Sequence, residues 1–390
     1  MAEYAISGIT SKPVRASEPA PPGRRRAPIR VCEVIKGLNL GGAETALAER
    51  LRVAPQDGVT YTVICLHASW NVLIDRIRAE GIEVIDLSPY SRLSAYVRLV
   101  RVVRRLAPQV VNMHSPLPAI VLRLFLRPSR RKPHLIHTVS GIKYRPATLL
   151  LDRLTRRLDD HTVAVASMVA HSPTAVGARR VSVRIHGIDL GRQREWAARA
   201  GEVRGEFGVP DDAFLVVSVA NLRACKNHLM LVEAAAEVVR ARPDALFLLA
   251  GEGPMHDQIS AEIERRGLGD HVRLLGRVPD AYRLIASADL LVLSSHNEGL
   301  PVVAMEALGA GVPVVATDVG GLPDIITSGR NGILTSPGSP SALAAGLLEA
   351  MEPAEHRKLR SGALSSDPQM LDMVNTARWF EDLYQDPTRG

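Results

Sequence analysis

The sequence predicts an α/β protein built from two doubly wound lobes with a cleft between them. Three observations predict it. Short apolar runs of strand length alternate with helix-sized intervals, first between Ile29 and Ile185 and again between Phe214 and Leu334. Glycines punctuate the ends of several runs, at Gly37, Gly251, Gly253, Gly320 and Gly321, where open sheets turn their ligand-facing edge. The 390 residues suffice for two domains of ordinary size, and 46% apolar content supplies both cores. The boundaries follow: a disordered basic tail over 1–29, a first domain over 30–188 and a second over 189–368. A C-terminal helix within 369–390 is expected to pack back on the first domain.

The elements read in order. Ile29–Ile35 is a first strand, and Gly37, Gly41 and Gly42 turn the chain into a helix that runs to about Leu51. These glycines do not have the spacing of the G-x-G-x-x-G dinucleotide fingerprint. They suit either a close substrate contact or a plain tight turn. Strands follow at Tyr61–Leu66 and Ile82–Asp86, with a helix at Val72–Ala79 between them. Arg92–Leu106 reads as a helix with Leu93, Val97, Val100 and Val103 on one stripe and arginines between. It is expected to cover the sheet or also to lie on a membrane interface. Val110–His114 is a strand ending in histidine, a position where open sheets hold ligands. Strands at Leu135–Val139, Val163–Ser167 and Val181–Ile185 complete the first lobe, and His186-Gly-Ile-Asp189 reads as a hinge. The second series is Phe214–Val219, Ala245–Ala250, Val272–Leu275, Leu290–Leu293, Val312–Ala316 and Ile333–Leu334. A last helix, Met370–Tyr384, carries Trp379, Phe380 and Tyr384.

Composition narrows the function classes. Aromatics are 4% of the chain, too few for a base-stacking platform, so no nucleic-acid partner is expected. Cys32, Cys65 and Cys225 are widely spaced, which fits a reduced intracellular chain without a disulfide framework or a metal-ligand cluster. No apolar run is long enough to span a membrane and no signal-like apolar core opens the chain, so a cytoplasmic location is expected. Charge is polarised. Residues 1–190 hold 29 Lys+Arg and 14 Asp+Glu, a net +15, and the remainder holds 19 and 27, a net −8. Between Asp86 and Asp152 stand 12 basic residues and no acidic one. Such a field draws an anionic partner, including peripheral contact with an anionic membrane; solvated arginine-rich faces are the plain alternative.

One stretch organises the rest. His296-Asn-Glu-Gly-Leu-Pro-Val-Val-Ala-Met-Glu306 follows an apolar strand and opens an apolar helix. Pro301 suits the first helical turn, where a missing N–H costs nothing. Gly299 lets a ligand approach the backbone. The N–H groups of Leu300, Val302 and Val303 then face outward at the positive end of the helix dipole, a site for an anion such as a diphosphate. Glu306 lies in an apolar run, where an unpaired buried carboxylate is costly and a pair of sugar hydroxyls would satisfy it. An ordinary buried helix with Glu306 on a solvent stripe is the alternative.

With these residues in view, the chain resembles glycosyltransferase family 4, a large retaining family with the GT-B fold of two Rossmann-like lobes. The resemblance covers about residues 30–385. Glu298 and Glu306, with seven residues between them, match the family's paired glutamates. Lys226-Asn-His228, Ala250-Gly-Glu-Gly-Pro254, Gly276-Arg-Val278, Gly320-Gly-Leu-Pro-Asp324, Gly41-Gly-Ala-Glu44 and His114 match further blocks in order.

The resemblance implies a nucleotide-diphosphate sugar donor, with UDP the expected carrier, bound mainly by the second lobe. Lys226 would neutralise the diphosphate. Glu306 would hold the ribose and Glu298 the donor sugar. The backbone at Gly299, Leu300, Pro301 and Val302 would meet phosphate or sugar, and Arg277 and Val278 would border the base. Gly41 and Gly42 would approach the diphosphate from the first lobe, and His114 would face the reacting sugar. No metal or other cofactor is expected, since no Asp-x-Asp motif is present. The basic first lobe is expected to take the acceptor, sugar- or lipid-linked or otherwise anionic, in surface polysaccharide or glycolipid assembly at the inner face of the cytoplasmic membrane. Departures are Asn221 where an Arg is usual, with Arg223 as its substitute, His186 and Asp324 where Asn and Glu are common, and Ser140 where a second His is frequent. Two alternatives keep the fold: a sugar-nucleotide epimerase or phosphorylase, and a non-catalytic nucleotide-sugar-binding subunit.

Overall fold

The computed structural model describes residues 27–39, 42–55, 58–68, 72–142, 144–366 and 368–386. Most of the expected basic tail, and Gly41, lie outside the described residues. The first lobe runs β1 (Ile29–Gly37), α1 (Gly42–Val53), β2 (Val59–His67), α2 (Val72–Ala79), β3 (Glu83–Asp86), α3 (Arg92–Leu106), β4 (Val110–Met113), α4 (Pro116–Leu126), β5 (His134–Val139), α5 (Pro146–Thr155), β6 (His161–Ala164), α6 (Ser167–Ala170) and β7 (Val181–Val183). Helices α7 (Leu190–Ala198) and α8 (Ala200–Glu206) lead to the second lobe. There β8 (Phe214–Val219), α9 (His228–Ala241), β9 (Ala245–Ala250), α10 (His256–Arg265), β10 (Val272–Gly276), α11 (Tyr282–Ala286), β11 (Leu290–Leu293), α12 (Val302–Gly309), β12 (Val314–Thr317), α13 (Leu322–Ile325) and β13 (Gly332–Thr335) alternate. Helices α14 (Pro340–Met351), α15 (Pro353–Leu364), α16 (Pro368–Leu371) and α17 (Met373–Gln385) close the chain.

Both sheets are parallel. Their orders are β3-β2-β1-β4-β5-β6-β7 and β10-β9-β8-β11-β12-β13, each reversing beside its first strand. The central strands are buried on both faces, as helices on either side require, and therefore read as continuous apolar runs. Both reversals open toward the same space between the lobes, which places the ligand cleft there. The two lobes form the GT-B architecture expected.

Three details depart from the sequence reading. On α3 the core is made by Ala95, Leu99, Val100 and Val103, while Leu93 and Val97 stand 79% and 43% exposed. Ser167 opens α6 instead of ending a strand, because its N–H is held by Asp324 Oδ2 at 2.6 Å from the other lobe. The last helix is broken at Asp372, whose side chain caps α17. The break has a cause: the hinge pairs with it, Ile188 N donating to Leu371 O at 2.7 Å and Met373 N donating to Ile188 O at 2.9 Å. Gly187 is required there, since any Cβ would collide with the Met373 backbone. Helix α17 then crosses to the first lobe, where Phe380, Leu383 and Tyr384 join the core under α1 and α2.

Candidate active site

The cleft encloses about 760 Å³ and is walled by the carboxyl ends of both sheets, a size suited to a nucleotide sugar. The turn after β8 presents Lys226. Asn227 closes that turn in the left-handed region at φ 52°, a conformation asparagine tolerates, and α9 starts beyond it. Ser294 Oγ at the end of β11 donates to the Lys226 carbonyl at 2.9 Å, pinning the turn to the next loop. Lys226 Nζ donates to both oxygens of Glu298, at 2.6 and 2.7 Å, and Ser295 Oγ donates to the same carboxylate at 2.6 Å. Glu298 is thereby fixed in orientation while 8% exposed.

Pro301 ends the extended stretch and α12 begins at Val302. Val302 and Val303, which open this helix, line the cleft with Lys226, and the first N–H groups of a helix have no intrahelical partner. One turn further, Glu306 lines the same cleft, and among the described residues no side chain donates to it. Burial pushes its carboxyl up to about 7; Arg192 opposes that and Glu49 reinforces it. Glu306 keeps partial access to the cleft, so it is a carboxylate on the cleft wall and not one sealed in the core.

The lobes meet closely around the cleft. A Cβ on Gly299 would collide with the Ser140 carbonyl oxygen of the facing lobe. Arg192 Nη1 donates to Glu49 Oε1 at 3.3 Å, Arg52 Nη2 to Asp189 Oδ2 at 2.6 Å, and Arg76 pairs with Asp280 at 3.6 Å across the mouth. Gly42 faces the Val302 side chain across the cleft.

The cleft wall brings together Gly42, Lys226, Arg277, Val278, Glu298, Gly299, Leu300, Pro301, Val302 and Glu306. It does not include Arg223 or His114. Arg223 is exposed on the outer side of its turn. His114 is turned to Glu33, with Nε2 2.7 Å from its Oε2 and a side chain 7% exposed. Glu33 is fully buried and draws every donor near it: Arg50 Nη2 at 2.7 Å, Tyr384 Oη at 2.8 Å and His114. Burial alone would raise the Glu33 carboxyl, but Arg50 and His114 hold it down at about 2. The cleft histidine is instead His186 of the hinge, whose Nε2 is buried without a partner and whose imidazole is kept neutral, at about 3, by burial and by the nearby His114 and Arg50. Arg192, Glu49, Arg76 and Asp280 also line the site. They belong to no motif; only the packing of the lobes puts them there.

Comparison with known proteins agrees with this geometry. The family model described as Glycosyltransferase Family 4 matches residues 40–192, and that described as Glycosyl transferases group 1 matches residues 201–361. EpsD of Bacillus subtilis, a protein named as a glycosyltransferase, is 30% identical over 275 residues, 67% of this chain and 72% of that one. The chain belongs to glycosyltransferase family 4. The family 4 chain is also 29% identical over 189 residues to N-acetyl-alpha-D-glucosaminyl L-malate synthase of Bacillus anthracis, 48% of this chain and 49% of that relative. Its fold matches Alr3699/HepE of Anabaena, solved in complex with UDP-glucose, at a TM-score of 0.81 and 20% identity over 92% of this chain and 99% of that one. The structure sets Glu298, Glu306 and Lys226 on one wall of the cleft.

Proposed function

We propose that the cleft binds a UDP-hexose and that the protein transfers the hexose, with retention and without a metal, to a sugar or lipid-linked sugar acceptor. The single observation that carries this reading is the convergence of Lys226, the start of α12 and the unsatisfied Glu306 on one cleft wall. The diphosphate lies against the α12 N–H groups and Lys226, and Glu306 accepts the ribose hydroxyls. Glu298 holds the donor sugar. As the diphosphate leaves, fixed N–H dipoles and the lysine meet its growing charge inside a cleft closed by both lobes. The acceptor attacks from the face the diphosphate leaves, and a phosphate oxygen takes its proton. Ser295 Oγ donates to Glu298 as Lys226 does, so the carboxylate stays oriented when the lysine turns to the diphosphate, which suits a positioning role. The basic first lobe receives the acceptor, in surface polysaccharide or glycolipid assembly.

A second reading, a nucleotide-sugar-binding subunit without turnover, is favoured by one observation: Arg223 stands outside the cleft, so Asn221 has no cationic substitute from its own turn. Calorimetric titration of UDP, GDP and ADP in EDTA, then of the sugar forms of the best binder, tests both. Selective binding of UDP with transfer to a glycan acceptor is expected. Binding without turnover moves the subunit reading forward, and no binding of any nucleotide overturns both.

A further inference from the structure

Helix α5 is inside out. It buries Asp152 and Thr155, while Leu150, Leu151 and Leu154 stand 60%, 49% and 71% exposed. Helix α4 does the same at its C-terminal end, where Arg123 is fully buried and Leu124 and Phe125 are half exposed. The inversion has a cause. Arg123 pairs with Asp152 at 2.7 Å and with Asp159 at 2.5 Å, and Arg156 reaches Asp152 at 2.6 Å. This ionic cluster holds α4 beside α5 and fixes their leucines outward. Helix α3 packs on the other flank of α4, with Arg104 Nη2 donating to the Phe125 carbonyl at 2.8 Å, and adds exposed Leu93 and Val97 one turn apart.

Single exposed leucines are ordinary, but an apolar face shared by three neighbouring helices is not. The charge around it is of one sign. Arg98, Arg101, Arg105, Arg153 and Arg157 are exposed, and the one carboxylate on α3, α4 and α5 is the buried Asp152. We infer that the α3–α4–α5 face docks on a bilayer with anionic headgroups, the leucines entering the interface and the arginines meeting the phosphates. A second copy of the chain seated on this face would set arginine against arginine, so the charge pattern selects the lipid. The inference is independent of the donor chemistry, since none of these residues lines the cleft.

The experiment is flotation of the full chain with phosphatidylglycerol-containing vesicles and with pure phosphatidylcholine vesicles, at low and high salt. The protein is expected to float with the anionic vesicles at low salt and roughly tenfold less with the neutral ones or at high salt. Leu150→Gln with Leu154→Gln is expected to cut flotation about tenfold, as is Arg98→Gln with Arg101→Gln, with thermal unfolding unchanged because the side chains are exposed. Absence of flotation on anionic vesicles at low salt overturns the inference. So does full flotation of the leucine variant. A wild-type dimer in analytical ultracentrifugation that the leucine variant dissociates also overturns it, because a second copy then covers the face.

Discussion

Lys226 Nζ sits 2.6 and 2.7 Å from the two carboxylate oxygens of Glu298, so the two side chains form one tight ion pair on the cleft wall. The pair joins the turn after β8 to the loop before α12, and under the proposed function an incoming diphosphate would draw the lysine away from it. Donor binding and sugar positioning are therefore linked through one contact.

That linkage separates two variants. Lys226→Ala should raise the Kd for the UDP-sugar roughly tenfold or more, the loss of a charged hydrogen bond of about 1.5–3 kcal/mol. Glu298→Gln frees the lysine, so UDP should bind as well as or better than to the wild type while turnover falls by orders of magnitude. Calorimetry with UDP and a transfer assay measure the two effects. An unchanged Kd in the alanine variant would assign Lys226 to the surface.

Glu306 predicts a pH dependence. Its carboxyl is pushed up to about 7, above its ordinary 4.5, by desolvation in the cleft wall, which Arg192 opposes and Glu49 reinforces. Under the proposed function the charged form accepts the ribose hydroxyls, and it becomes the majority form above that value. Affinity for UDP-glucose, whose phosphates do not titrate in this range, should rise between about pH 6 and pH 8, and Glu306→Gln should flatten the profile. Stability runs the other way. The folded chain keeps a proton that the unfolded chain has released between 4.5 and about 7, so stability falls as pH rises through that window. Glu306→Gln should therefore gain Tm at alkaline relative to acidic pH. A Tm difference independent of pH would refute the assignment.

The two histidines should part company. His114→Ala removes one of three donors to the buried Glu33, so it should lower stability by about 1–3 kcal/mol, read by denaturant unfolding. His186→Ala removes a cleft imidazole with no partner to lose and should leave stability nearly unchanged while lowering transfer more than UDP affinity. If His114→Ala is as stable as the wild type and loses only turnover, the imidazole faces the sugar after all.

Gly299→Ala tests closure of the lobes. The new methyl would strike the Ser140 carbonyl oxygen across the cleft, while within the second lobe the turn stays as built. The variant should fold with wild-type circular dichroism, bind UDP more weakly and lose most transfer. Wild-type turnover would mean that the observed approach of the lobes is not needed for reaction.

What the sequence determined by itself is local or periodic. Strand and helix positions were legible because each central strand, buried on both faces, must be apolar throughout, and each helix must fill one interval between strands. The wall of the site was legible because its chemistry is contiguous: Glu298 through Glu306 form one loop and one helix, and Lys226 lies in one turn. What the tertiary structure decided is everything that depends on distant segments meeting. Leu93 was read into the core stripe of its helix, yet α3 packs through Ala95, Leu99, Val100 and Val103 and leaves it outward. His114 ends the strand that the sequence marked, but the direction of its ring is set by Glu33 and by Tyr384, 270 residues later in the chain. Arg192, Glu49, Arg76 and Asp280 reach the cleft only because the lobes close on each other, and no spacing along the chain encodes that approach.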